Sequence, residues 1–166
     1  MRKVKPFLVT LLIIALAAGA YVIIPFYQQG KTTSSQATLY FIQETPTDFN
    51  LVPVRRQIEG DPSPTQALQA LLEGPLPDEG LFASVPPSVR LLGLEINQGK
   101  ATANFSSEII HDFPGGSLME AYLVEAIINT LTEFPDIAEV QILVDGRVVE
   151  SIGGHVLILQ PLRRKD

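Results

Sequence analysis

Three rhythms of apolar and polar positions divide this chain. The first is an unbroken apolar run, Phe7 to Ile24 (FLVTLLIIALAAGAYVII), directly behind Arg2, Lys3 and Lys5. As a helix rising about 1.5 Å per residue it would be about 27 Å long, close to the roughly 30 Å hydrocarbon core of a bilayer. The positive-inside rule keeps residues 1–6 in the cytoplasm, makes 7–24 a transmembrane signal-anchor and sends the rest of the chain across the membrane. Ala18-Gly19-Ala20 also matches a secretory cleavage pattern, whose use would release a secreted chain near Ala20. Apolar residues continue to Tyr27, however, and Tyr21 and Tyr27 suit a membrane interface, which favours a retained single-pass anchor. Residues 28–36 (QQGKTTSSQ) have no apolar period and read as a flexible stalk.

From residue 37 the pattern becomes that of a folded domain, taken here as 37–166. Thr38-Leu39-Tyr40-Phe41-Ile42 is rich in strand-forming types, Thr45 to Asn50 reads as a turn, and Leu51 to Ile58 as a second strand with Val52, Val54 and Ile58 on one face. Ser63-Pro64 announces a helix, with Ser63 as cap and Pro64 at its first position. Leu68, Leu71 and Leu72 share a face of it before Gly74 ends it. Gly74 to Ser88 (GPLPDEGLFASVPPS) is too rich in proline and glycine for regular structure. Leu81, Phe82 and Val85 tie this long loop to the domain and mark it as a candidate contact surface.

Val89 to Asn97 and Lys100 to Ser106 alternate at period two around a Gln98-Gly99 turn. Leu92, Leu94 and Ile96 form one apolar face and Ala101, Ala103 and Phe105 the other. A second helix is expected from Ser117, where S-x-x-E matches a capping box, to Phe134. Its buried stripe would be Ala121, Val124, Ile127, Ile128 and Leu131, with Glu120, Glu125, Asn129 and Glu133 toward solvent. Val140 to Val144 then forms a strand, Asp145-Gly146 a hairpin turn into Arg147 to Ser151, and Val156 to Leu159 a short closing strand. The predicted order is ββ-α-ββ-α-ββ(β). The fold class is α+β, two-layered, with a mainly antiparallel or mixed sheet and two helices on one face.

Charge narrows the partners. The chain carries twelve basic and eighteen acidic residues, and three of the bases precede the apolar run, so nine remain against eighteen beyond it. A domain this acidic repels nucleic acid and anionic lipid surfaces. With no cysteine, disulfides, thiol chemistry, cysteine metal sites and a lipidated cysteine anchor are all excluded.

Candidate chemistry is sparse. His111-Asp112 lies near Ser106-Ser107-Glu108, but nucleophilic catalysis needs a strained, presented serine and nothing here builds one; local loop hydrogen bonding explains the cluster. His111 and His155 are too isolated for a zinc site, and Asp78-Glu79-Gly80 and Asp145-Gly146 are better explained as turns. Gly115-Gly116-Ser117 lacks a phosphate-loop lysine and suits a helix entry. No catalytic, cofactor-binding or metal-binding residue is therefore assigned, no cofactor is expected, and the chain is expected not to be an enzyme. Gly153-Gly154-His155 is the most unusual polar spot; its glycines imply positive φ or a close backbone approach, and a structural role for the histidine is favoured over partner binding.

Residues 66–164 assemble into a recognisable succession. Leu71-Leu72-Glu73-Gly74-Pro75 closes the first helix, Pro86-Pro87 precedes the hairpin, and Leu91-Leu92-Gly93, Gly99 to Ala103 and Ser106 to Glu108 follow. Gln141 to Gly146, Gly153-Gly154-His155 and Pro161-Leu162-Arg163 complete it. This pattern resembles the sporulation and spore germination (GerMN) domain family. The resemblance implies a bacterial extracytoplasmic module built like the ring-building motifs of secretion systems. Such a module would be a non-catalytic protein-interaction unit of the cell envelope linked to sporulation or germination, and its partner another envelope protein or a second copy. The alternative is a module binding peptidoglycan or another envelope glycan, for which Tyr40, Phe82 and Tyr122 are the available aromatics.

Overall fold

The computed structural model describes residues 35–165. The expected cytoplasmic N-terminus, the 7–24 anchor, the Ala20 cleavage point and most of the stalk lie outside them. Among the described residues no helix is long and apolar enough to cross a membrane.

Strands β1 (Gln36–Glu44) and β2 (Phe49–Gln57) form an antiparallel hairpin in unbroken register from Gln36↔Gln57 to Glu44↔Phe49. Order begins earlier than expected: Gln36, assigned to the stalk, is in β1, and the Ser35 carbonyl accepts the Ile58 N–H at 3.0 Å. Helix α1 (Pro64–Glu73) starts as its sequence requires. Ser63 Oγ accepts the Gln66 N–H, the Gln66 side chain returns to the Ser63 N–H, and Pro64 occupies the first turn. Gly74, at φ 85°, ends it and donates its N–H to the Leu71 carbonyl.

Strands β3 (Leu91–Asn97) and β4 (Lys100–Phe105) pair antiparallel across the Gln98-Gly99 turn. A single helical turn, α2 (Glu108–His111), and the long helix α3 (Ser117–Thr132) then carry the chain to β5 (Glu139–Val144), which lies parallel to β4. The molecule is thus α+β, with a two-stranded sheet and a mixed sheet in the order β3-β4-β5. Helices α1 and α3 pack on each other and on β1; α3 also meets β5 and α1 meets β3. One buried cluster joins them, including Leu39 and Phe41 of β1, Leu68 and Leu71 of α1, Phe105 of β4, Ile127 and Leu131 of α3 and Ile142 of β5.

Three expected details differ. The last hairpin does not form: after Asp145-Gly146 only the bridge Val144↔Arg147 pairs, and Val156 to Leu159 is irregular. The edge of β5 is covered instead by Leu162, which exchanges two backbone hydrogen bonds of 2.8 Å with Val140. On β3 the alternation is broken by a bulge between Leu91 and Gly93, and Leu92 and Ile96 are about half exposed at 50% and 45%. At the start of α3 the cap is Gly116, and no side chain caps the helix. Glu120, expected there in a capping box and toward solvent, is completely buried.

Candidate functional site

The reason for that burial is the segment after β5. Ile152, Gly153 and His155 turn their backbone N–H groups inward, away from any strand partner. The Glu120 carboxylate accepts all three: Ile152 N–H and Gly153 N–H at 3.0 and 2.8 Å on Oε1, and His155 N–H at 2.8 Å on Oε2. His155 Nδ1 lies 3.1 Å from Oε2; an ionised carboxylate only accepts, so that nitrogen carries the hydrogen. Burial alone would push the Glu120 carboxyl up. The N–H groups of Gly153, His155 and Val156, with the His155 ring, outweigh it and hold the carboxyl below its ordinary value. Gly153 is needed for a spatial reason: a Cβ there would lie 2.5 Å from Phe113 Cε1 and 3.0 Å from Glu120 Oε2. The Gly153-Gly154-His155 signal is therefore the lid of a buried carboxylate, and the acceptor it requires was missed because it sits thirty-odd positions earlier in a helix.

Phe113 leads from this fastening to the surface. With Ile42, Pro86, Pro87, Pro114 and Met119 it lines an open groove of about 240 Å³. The long loop forms one wall because it is pinned to β1. Ile42 and Phe82 exchange backbone hydrogen bonds of 3.0 and 2.8 Å, and the Ser84 hydroxyl donates to the Tyr40 carbonyl at 3.0 Å. Farther back the loop is held by the Arg56 guanidinium, which meets both Glu79 carboxylate oxygens at 3.1 and 2.9 Å. Of the groove-lining residues, Asp112 alone has a charged side chain, and the Ser88 hydroxyl donates to it at 2.5 Å. Phe82 stands 52% exposed on the same loop. Prolines, an aromatic ring and a thioether give this groove rigid apolar walls, chemistry suited to an extended peptide segment.

The residues weighed for catalysis are engaged in local structure, where the Ser106 side chain also bonds Glu108. Ser106 Oγ accepts the Arg90 N–H at 3.0 Å, Asp112 is bonded to Ser88, and His111 ends α2. Among the described residues no group of three or more His, Cys, Asp or Glu side chains is placed to hold a metal ion. Two of the three aromatics weighed for glycan stacking are committed elsewhere. Tyr40 is buried and donates its hydroxyl to Glu133 at 2.6 Å, Tyr122 donates to the Phe49 carbonyl, and of the three only Phe82 stands more than half exposed. Burial and then the Glu133 carboxylate push the Tyr40 hydroxyl up, while the same hydrogen bond holds Glu133 down.

Known proteins resemble this chain in sequence and fold. Over 120 residues the chain is 28% identical to the spore germination protein GerM of Bacillus subtilis, covering 70% of this chain but 33% of that one. It thus spans about a third of the curated relative's length. The tandem GerMN domains of GerM superpose with a TM-score of 0.68 at 26% identity, over 82% of this chain and 48% of that structure. A candidate lipoprotein from Clostridium perfringens superposes with a TM-score of 0.58 at 29% identity, over 78% and 87% of the two chains. The model of the Germane family, described as sporulation and spore germination, matches residues 38–150, from β1 to just past β5. With that match extending over most of the chain, and with the α+β arrangement it shares with GerMN domains, this protein belongs to the Germane family of sporulation and spore germination.

Proposed function

We propose that this protein is a membrane-tethered, extracytoplasmic interaction module of the bacterial cell envelope, serving sporulation or spore germination without catalysing a reaction. The observation that carries the reading is the groove of Pro86, Pro87, Phe113, Pro114 and Met119, an apolar surface held open by the pinned loop on one side and the Glu120 fastening on the other. It would receive an extended segment of another envelope protein or of a second copy. Support for the location comes from the apolar run at 7–24 behind its basic residues, and from the likeness to a candidate lipoprotein. A peptide tether and a lipid would hold such a domain at the same surface. The peptidoglycan alternative is weakened, since Tyr40 and Tyr122 are bonded within the fold.

Site-directed photocrosslinking in the native cells tests this. A benzophenone side chain introduced at Pro87 should give a discrete adduct with one envelope protein, or a crosslinked dimer, and Met119→Glu should abolish it. Protease added outside the membrane should digest the domain. A domain protected on the cytoplasmic side, or adducts indifferent to Met119→Glu, would overturn the proposal.

A further inference from the structure

On the other side of α3 lies a second surface, and the chain itself covers it. The segment Pro161–Lys165 crosses the helix with Leu162 bonded to Val140, and each basic side chain beyond it meets a carboxylate. Arg163 Nη2 lies 3.0 Å from Glu139, Arg164 Nη1 2.6 Å from Glu133, and Lys165 Nζ 2.9 Å from Glu125. Arg164 also donates to the Tyr40 hydroxyl at 2.6 Å. The outer two pairs are held in water, Arg163 and Lys165 being 72% and 82% exposed, so they restrain the segment only weakly. Nor does the segment fill the space beneath it. A void of about 90 Å³ remains, with Ala121, Val124, Ile128, Val156 and Leu162 as its apolar lining and Glu125, Asn129 and residues 163–165 completing its wall.

An apolar furrow flanked by three carboxylates specifies its ligand by charge and size. We propose that this furrow recognises a short segment of a partner protein in which a large apolar residue, phenylalanine or methionine, is followed by two or three basic residues. Pro161–Lys165 is its resident substitute. The basic residues match Glu139, Glu133 and Glu125, while the larger apolar side chain fills the void that Leu162 leaves. The partner displaces the resident segment, whose exposed ion pairs are the first to open. This surface is separate from the proline-lined groove, so peptide binding here and adduct formation there can fail independently.

The test uses the full chain in lipid nanodiscs and a fluorescein-labelled peptide, acetyl-Gln-Pro-Phe-Arg-Arg-Lys-amide, followed by fluorescence anisotropy. Saturable binding is expected, tighter when Arg163→Ala and Lys165→Ala loosen the resident segment. The same peptide with leucine in place of phenylalanine should bind about tenfold more weakly, the usual worth of a filled apolar pocket. Glu125→Lys with Glu139→Lys should abolish binding while melting stays cooperative. Should that variant fail to fold, raising salt to about 0.5 M, where exposed charges are screened, must weaken binding to the unaltered chain. The proposal is overturned by no saturable binding to the loosened chain, by equal affinity for the two peptides, or by salt-independent binding. Exchange of Pro161–Lys165 between two copies, with the peptide failing to compete, also overturns it.

Discussion

Replacing Glu120 by glutamine removes one charge and adds one pair of donors at a buried point where only acceptors are wanted. In the native chain the carboxylate satisfies the N–H groups of Ile152, Gly153 and His155 and the His155 ring. A glutamine oxygen placed toward Ile152 and Gly153 keeps those two bonds without their charge assistance. Its NH₂ then faces the His155 N–H, which is left without an acceptor, while the imidazole changes tautomer and accepts. Orphaning this partly buried donor costs about 1–2 kcal/mol, and the loss of charge assistance adds to it, giving about 2–4 kcal/mol. For a domain of this size a loss of about 1 kcal/mol lowers the melting temperature by about 4 °C, so a fall of about 8–16 °C is expected at pH 7. The pH dependence carries a second signature. Because the folded carboxyl titrates below its ordinary value of 4.5, its stabilisation is present above that value and is lost as pH falls through the folded value. Thermal melts of the full chain in mild detergent, followed by circular dichroism from pH 7 to about 3, should therefore slope downward in the native chain and less steeply in Glu120→Gln. A variant that melts with the native chain at pH 7, or that keeps the same acid slope, would refute the reasoning.

Three further outcomes are expected. Gly153→Ala should destabilise by about 1–3 kcal/mol through overpacking against Phe113, and Phe113→Leu in the same chain should recover part of the loss in a double-mutant melt; additive losses would count against it. His155→Ala should cost about 1 kcal/mol, since the ring is half exposed and backbone donors remain on Glu120; loss of crosslinking at the groove with unchanged melting would reverse its structural assignment. Deleting Met1 to Tyr27 should leave a soluble, cooperatively melting domain, and an aggregated product would refute the division of the chain into tether and domain.

Local signals were legible where one residue decides local geometry. Ser63 and Pro64 start α1, Gly74 ends it, and Gln98-Gly99 and Asp145-Gly146 turn where two successive positive φ angles are required. What could not be read depends on partners distant in sequence. Asp145-Gly146 does turn the chain and pairs Arg147 with Val144, but farther along the edge of β5 the partner of Val140 is Leu162, which the turn signal could not reveal. The apolar stripe of α3 was too narrow because the helix is packed by β1, α1 and β5 together, which also buries Leu123, Ala126 and Thr130. Glu120 matched a capping box by spacing, and only the fold brings Ile152 to His155 close enough to claim it.

That claim has a mechanical consequence for the candidate surface. Three inward N–H groups on an irregular segment need acceptors, and one buried carboxylate supplies them more compactly than a strand could. Fixing those N–H groups sets Gly153 flush against Phe113, and Phe113 is a wall of the groove. Met119, the neighbour of Glu120 on α3, lines the same groove. The fastening and the groove therefore share two adjacent helix positions and one aromatic contact, a chain of direct packing rather than a coupling inferred from distance. A side chain that loosens the 152–155 segment must let Phe113 move, so Gly153→Ala should weaken groove crosslinking as well as stability. Substitutions of Glu95 on the exposed strand β3, which touch neither the fastening nor the groove, should leave both intact. If Gly153→Ala lowers the melting temperature but crosslinks at the groove as the native chain does, the two features are neighbours without being coupled.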